Sequence, residues 1–147
     1  MDSEQVIKEM REFLADLGAP VLGTVNPVTG TGLLTKIRSN GLSLGVQFHY
    51  NPGKEVVMII VHFQDSISME QDKFPFQVLN EFYAQMLLTH FSFFPETNHI
   101  TIRTAYVLTG DKFDKKKLRE YFDQVIHDAV YYYPQLKKFI AGQEAKA

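Results

Sequence analysis

The sequence predicts an α+β domain: a twisted, mainly antiparallel sheet of five to six strands with three main helices, in the order α-β-β-β(-β)-α-β-β-α. Three observations carry the prediction. Apolar residues recur at helical spacing in three separate stretches of the 147-residue chain: near its start, in its middle and toward its end. Between these lie short alternating stretches bounded by Gly, Pro and Asn, the pattern of strands and turns. The run Val56-Val57-Met58-Ile59-Ile60-Val61 is too β-branched to favour a helix and too short to cross a bilayer, so it reads as a strand whose two faces both avoid water.

The first helix starts at Ser3, which can cap it, with Glu4 and Glu9 toward the end that favours negative charge. Val6, Met10, Phe13, Leu14 and Leu17 form its apolar stripe, Gly18 ends it and Pro20 forbids continuation. Residues 21–28 read as a weak strand and Thr29-Gly30-Thr31-Gly32 as a turn. Residues 33–39 and 42–50 form a hairpin about Asn40-Gly41, the strongest short hairpin signal in the chain. Asn51-Pro52-Gly53-Lys54 turns into the strand 55–63. These turns set an expected register: Ile37 faces Leu44 and Leu33 faces Phe48 across the first, while Tyr50 faces Glu55 and Phe48 faces Val57 across the second. One face of the sheet is then apolar and wants helices. The other carries Lys36, Arg38, Ser43, Gln47 and His49 beside Val56, Met58 and Ile60.

Residues 64–71 are a polar connection. Asp72 is placed to cap the middle helix and Pro75 suits its first turn, with Val78, Leu79, Phe82, Tyr83, Met86 and Leu87 as its stripe. A short strand at 91–94 turns through Pro95-Glu96-Thr97-Asn98 and returns along 99–109, where Gly110 and Asp111 interrupt it. Asp114 caps the last long helix, striped by Leu118, Tyr121, Phe122, Val125, Ile126, Ala129, Val130 and Tyr133. Pro134 should kink or restart it, and Leu136, Phe139 and Ile140 continue in a short terminal turn. Residues 1–141 therefore make one domain and 142–147 a flexible tail.

Composition narrows the function. The net charge of -2 supplies no field for nucleic acid. Five basic and nine acidic residues fall in 1–72 against ten and eight in the remainder, a mild asymmetry that a solvated surface explains. There is no cysteine, which removes disulfides, thiolate metal sites and a cysteine nucleophile. The polar, acidic start is not a secretory signal, and no apolar run approaches the roughly 20 residues of a membrane helix, so a cytoplasmic location is expected.

No pattern of catalytic residues stands out. The five histidines have no His-x-x-x-His spacing and no acidic residue at ligand spacing, so no metal and no cofactor are expected. No serine lies in a Gly-x-Ser-x-Gly elbow. His127 and Asp128 sit on the last helix, where His127 falls outside the apolar stripe, and Glu81 and Glu120 lie on polar helix faces. Thr29-Gly30-Thr31-Gly32 lacks the lysine and the helix of a phosphate loop.

Three features suggest contact instead. Lys115-Lys116-Lys117 crowd positive charge into a helix start, where it opposes the macrodipole; the cluster reads as a solvated helix end or as a patch for an anionic partner. Tyr131-Tyr132-Tyr133 cannot all face one core, so Tyr131 or Tyr132 packs on the terminal segment or on another chain. Val56, Met58 and Ile60, left in water, would forgo roughly 1.5–3 kcal/mol each of burial, so they are covered within the chain, by a twin subunit or by a peptide.

The segment VLNEFYAQMLLTHFSFFPETNHITIR, residues 78–103, resembles the YbjN-type family, and the ending YYYPQLKKFIAG, residues 131–142, is similar to that family's closing helix. Leu79-Asn80-Glu81, Phe91-Ser92-Phe93 and Ile100-Thr101-Ile102-Arg103 carry most of the likeness. That family is related in fold to type III secretion chaperones. The resemblance implies a non-enzymatic protein, commonly a homodimer, that binds peptide segments of partners or acts as a regulator. It supplies no catalytic residues. Secretion chaperones are strongly acidic, and this chain, with a pI near 6.2, departs from them. The leading expectation is thus a chaperone-like or regulatory interaction module that captures a partner protein or peptide by apolar burial or strand addition. The competing expectation is a small-molecule-binding protein or enzyme, with a pocket lined by Phe48, Tyr83 and Phe122 and anchored by His62 or Arg103.

Overall fold

The computed structural model describes residues 2–25, 31–64, 75–94, 99–110 and 112–146. Three helices and six strands follow in the expected order: α1 (Ser3–Asp16), β1 (Gly23–Val25), β2 (Thr31–Ser39), β3 (Leu42–Asn51), β4 (Val56–Phe63), α2 (Phe76–Tyr83), β5 (His90–Phe94), β6 (His99–Val107) and α3 (Lys115–Lys146). The strands form one antiparallel-paired sheet in the order β1-β2-β3-β4-β6-β5. β6 therefore lies between β4 and β5, and the chain reaches β5 through the α2 region before turning back beside β4.

The cap of α1 lies one residue before the expected one. The side chain of Asp2, not Ser3, accepts the Gln5 N–H at 2.9 Å, while the Gln5 side chain accepts the Asp2 N–H at 3.4 Å. Only Asp2 has a glutamine three residues on to complete this reciprocal box. At the other end Gly18 takes φ 70°, and Ala19 N–H reaches the Leu14 carbonyl while Gly18 N–H reaches that of Ala15. That is a Schellman closure, which glycine enters without strain.

The β2–β3 hairpin has the expected register, with Ser39 opposite Leu42 and Leu33 opposite Phe48. Asn40 and Gly41 both take positive φ, as a type I′ turn requires. The β3–β4 register differs by two residues from expectation. Tyr50 faces Val57, Phe48 faces Ile59 and His49 faces Met58, because Asn51 stays in the strand opposite Val56. The Asn51 side chain accepts the Lys54 N–H at 3.2 Å and Glu55 turns with φ 53°, so Glu55 belongs to the turn. A slip of two preserves the side of the sheet on which every residue projects, so the expected faces survive the corrected register.

Leu33, Leu44, Val46, Phe48, Val57, Ile59, Val61, Ile100 and Ile102 make the buried face. Phe13 of α1 and Phe122 of α3 close on Phe48, with the three ring centroids 5.7–6.0 Å apart. Further along α3, Tyr133 stacks on Phe63 at 3.6 Å. Helix α2 packs on α3, with Phe82 5.1 Å from Tyr132, and its cap position is Pro75. The proposed cap Asp72 and the turn 95–98 lie outside the described residues, as do 26–30 of the expected first strand and turn. Thr31 and Gly32, expected in that turn, belong to β2. Leu87, expected on the α2 stripe, lies past the helix end and is 88% exposed.

Helix α3 starts at the expected cap, where the Asp114 carboxylate accepts the Lys117 N–H at 3.1 Å. It then runs unbroken through Pro134 to Lys146. The expected break is absent because Tyr132, Tyr133, Leu136 and Ile140 are all buried across the proline, and that burial outweighs the one missing N–H. Residues 142–146, expected as a tail, are the last turns of this helix.

Candidate contact face

Helices α1 and α3 cover one side of the sheet. On the other, side chains line up by register. One row reads His49, Met58, Ala105; the next toward the strand ends is Asn51, Val56, Val107. Val56 and Met58 are half-buried, Ala105 is exposed, and Val107 is 53% exposed. Four apolar side chains on two adjacent strands thus form a patch that reaches solvent. Ile60 does not belong to it. It is only 7% exposed, between Gln47 and Arg103 in its row, so of the expected trio Val56, Met58 and Ile60 only the first two reach solvent.

Ala105 and Val107 could not be read from the sequence. Sequential hairpins place β4 beside β3, but β4 meets β6 only because β6 is inserted between β4 and β5. The one available signal was the unusual two-sided apolar character of 56–61, which asks for cover on both faces and does not specify the strand at its edge.

The rest of this side is mixed, with cations at Lys36 and Arg103. Leu34, Gln47, Ile60, Arg103 and His90 make one row; Lys36, Gly45, His62, Thr101 and Ser92 make the next. Burial, then the charge of Arg103 and His99, lowers the pKa of His62. Burial and Arg103 do the same to His90, and burial alone to His49 and to the guanidinium of Arg103. These imidazoles are therefore held toward their neutral form. Gly45, lacking a side chain, leaves a small depression bordered by Lys36, Ser43, His62 and Gln64.

The other expected contact residues divide. Tyr131 is 55% exposed, with its ring stacked parallel to that of His127 at 6.0 Å, whereas Tyr132 is buried against Phe82. The lysine cluster is split as well. Lys115 bridges to Glu12 at 2.7 Å and Glu9 at 3.3 Å, tying the start of α3 to α1. That hydrogen bond lowers the pKa of Glu12 and raises that of Lys115. Lys116 is exposed and Lys117 half-buried, so only these two project from the helix start.

The alternative pocket does not assemble. Phe48 and Phe122 stack on each other in the core, while His62 and Arg103 project from the opposite side of the sheet. Tyr83 is engaged at the sheet edge through its hydroxyl. Asp128 is a further surprise. Its carboxylate is 2% exposed and accepts from the Thr89 hydroxyl at 2.6 Å and from Gln124 Nε2 at 3.0 Å, with His127 Nδ1 at 3.1 Å. Its neighbour Ala129 was legible as core, but a buried aspartate has no signature in helical spacing.

Among the described residues no group of three His, Asp or Glu could hold a metal ion, and no helix is long and apolar enough to cross a membrane. No family model, curated protein or solved structure matches the chain.

Proposed function

We propose that this chain is a non-enzymatic protein-interaction module, chaperone-like or regulatory, that forms a homodimer and binds partner proteins through the apolar end of its open sheet face. The observation that carries this reading is the pairing of Val56 with Val107 and of Met58 with Ala105 on the side away from α1 and α3. Burying a valine or methionine side chain is worth about 1.5–3 kcal/mol, and Val107 retains half its surface in water, so a covering chain recovers a share of that energy from each member. The polar members of the neighbouring rows supply a rim that water can enter, the usual arrangement around such patches. The YbjN-type resemblance adds to the reading from an independent direction.

The test is sedimentation equilibrium on the purified chain beside a Met58→Glu/Val107→Glu variant, with partner capture measured for both. A dimeric parent, a monomeric variant with an unchanged circular dichroism spectrum and lost capture are expected. A parent that sediments as a monomer and captures the same proteins as the variant refutes the reading.

A further inference from the structure

Strand β5 ends the sheet on one side, and the direction of its main-chain groups follows from the register. Leu108 N–H, continuing β6, donates to the Glu55 carbonyl at 3.0 Å, so even-numbered residues of β6 turn their main chain toward β4. The odd-numbered His99, Thr101 and Arg103 turn toward β5, where they face Phe94, Ser92 and His90. Phe91 lies between two of these pairs and so directs its N–H and C=O away from the sheet. Outward groups of this kind are the template on which another strand pairs.

At Phe91 both are already taken. Its N–H donates to the Tyr83 hydroxyl at 2.9 Å, and the same hydroxyl donates to its carbonyl at 3.0 Å. One phenol oxygen thereby does what one residue of an incoming strand would do. Tyr83 is the last residue of α2, which α3 holds beside the edge through the Phe82–Tyr132 contact.

We propose that Tyr83 is a guard that closes the β5 edge to strand addition, and that the strand it excludes is β5 of a second copy of this chain. The five residues of β5, HFSFF, carry three phenylalanines and neither the lysine nor the proline that commonly protects an edge. An antiparallel strand pairing with its own copy closes on a two-fold axis, so the product is a dimer with a continuous sheet.

The experiment uses Tyr83→Phe in the Met58→Glu/Val107→Glu background, compared with that background carrying Tyr83, so that association through the sheet face is separated from association through the edge. In dilute solution the Phe91 amide of the Tyr83→Phe protein, which has lost its acceptor, exchanges at least about tenfold faster. At high concentration its mass rises above that of the background. An unchanged mass at every concentration overturns the proposal. The Phe91 amide of the unaltered chain decides independently of whether the variant folds: slow exchange in dilute monomer supports the guard, and exchange as fast as in a free peptide overturns it.

Discussion

Thr89→Val tests the buried contact between the start of β5 and α3. Thr89 is 5% exposed and Asp128 2% exposed, and the hydroxyl meets the carboxylate at 2.6 Å, the short distance of a bond to a charged acceptor. Valine keeps the shape of threonine and removes the donor. A hydrogen bond to a charged group contributes about 1.5–3 kcal/mol, and Gln124 and His127, which still reach the carboxylate, limit the loss to that one bond. For a chain of this size the melting temperature should fall by about 3–12 °C. Asp128→Ala removes the acceptor instead and strands the Thr89 hydroxyl in the interior, so it should cost at least as much. Urea denaturation of the two single variants and the double variant isolates the pair. The coupling energy should be about 1.5–3 kcal/mol, because the bonds from Gln124 and His127 cancel in the cycle and leave only the bond that needs both partners. The same variants should speed amide exchange across residues 88–91, which are also held by Thr104 Oγ1 on the Leu88 carbonyl and by Tyr83 on Phe91. A coupling below about 0.5 kcal/mol would show that Asp128 is satisfied without Thr89 and would refute the clamp.

Two further outcomes follow from the core and the open face. Phe122→Ala should lower stability by about 3–5 kcal/mol in urea, since its ring fills the space between Phe13 and Phe48; a loss under about 1 kcal/mol would mean that the three rings are not packed as described. Because His62 and His90 have pKa values below 6.5 in the folded chain, the unfolded chain binds more protons as pH falls through that value, so stability should decline from pH 7.5 toward pH 5. The His62→Gln/His90→Gln variant should melt with a flatter pH dependence over that range, and a slope equal to that of the parent would remove these two imidazoles as its source.

Much of the fold was legible because periodicity survives small errors. The cap moved from Ser3 to Asp2 and the β3–β4 register slipped by two, yet each strand residue kept its side, since the side-chain period of a strand is two. Asn40-Gly41 specified its hairpin outright, because few residue pairs accept positive φ twice in succession. The three helical stripes, the six strands and their order along the chain were all local properties of this kind.

The contact face was legible only in part. Val56 and Met58 stood out as apolar residues on a polar side, but burial of Ile60 and the arrival of Ala105 and Val107 depend on which strand lies beside β4. That neighbour comes from more than forty positions away in sequence, and no turn signal encodes it. The same holds for Lys115 reaching Glu12, for Asp128 meeting Thr89, and for Tyr83 closing the β5 edge. By itself the sequence determined the type of the main segments and, for most of them, which side avoids water, since both follow from the spacing of side chains along one stretch of backbone; the continuous α3 through Pro134 and the exposure of Leu87 did not follow from it. Only the tertiary structure decided which segments meet, because contacts between distant elements are set by the packing of the whole domain.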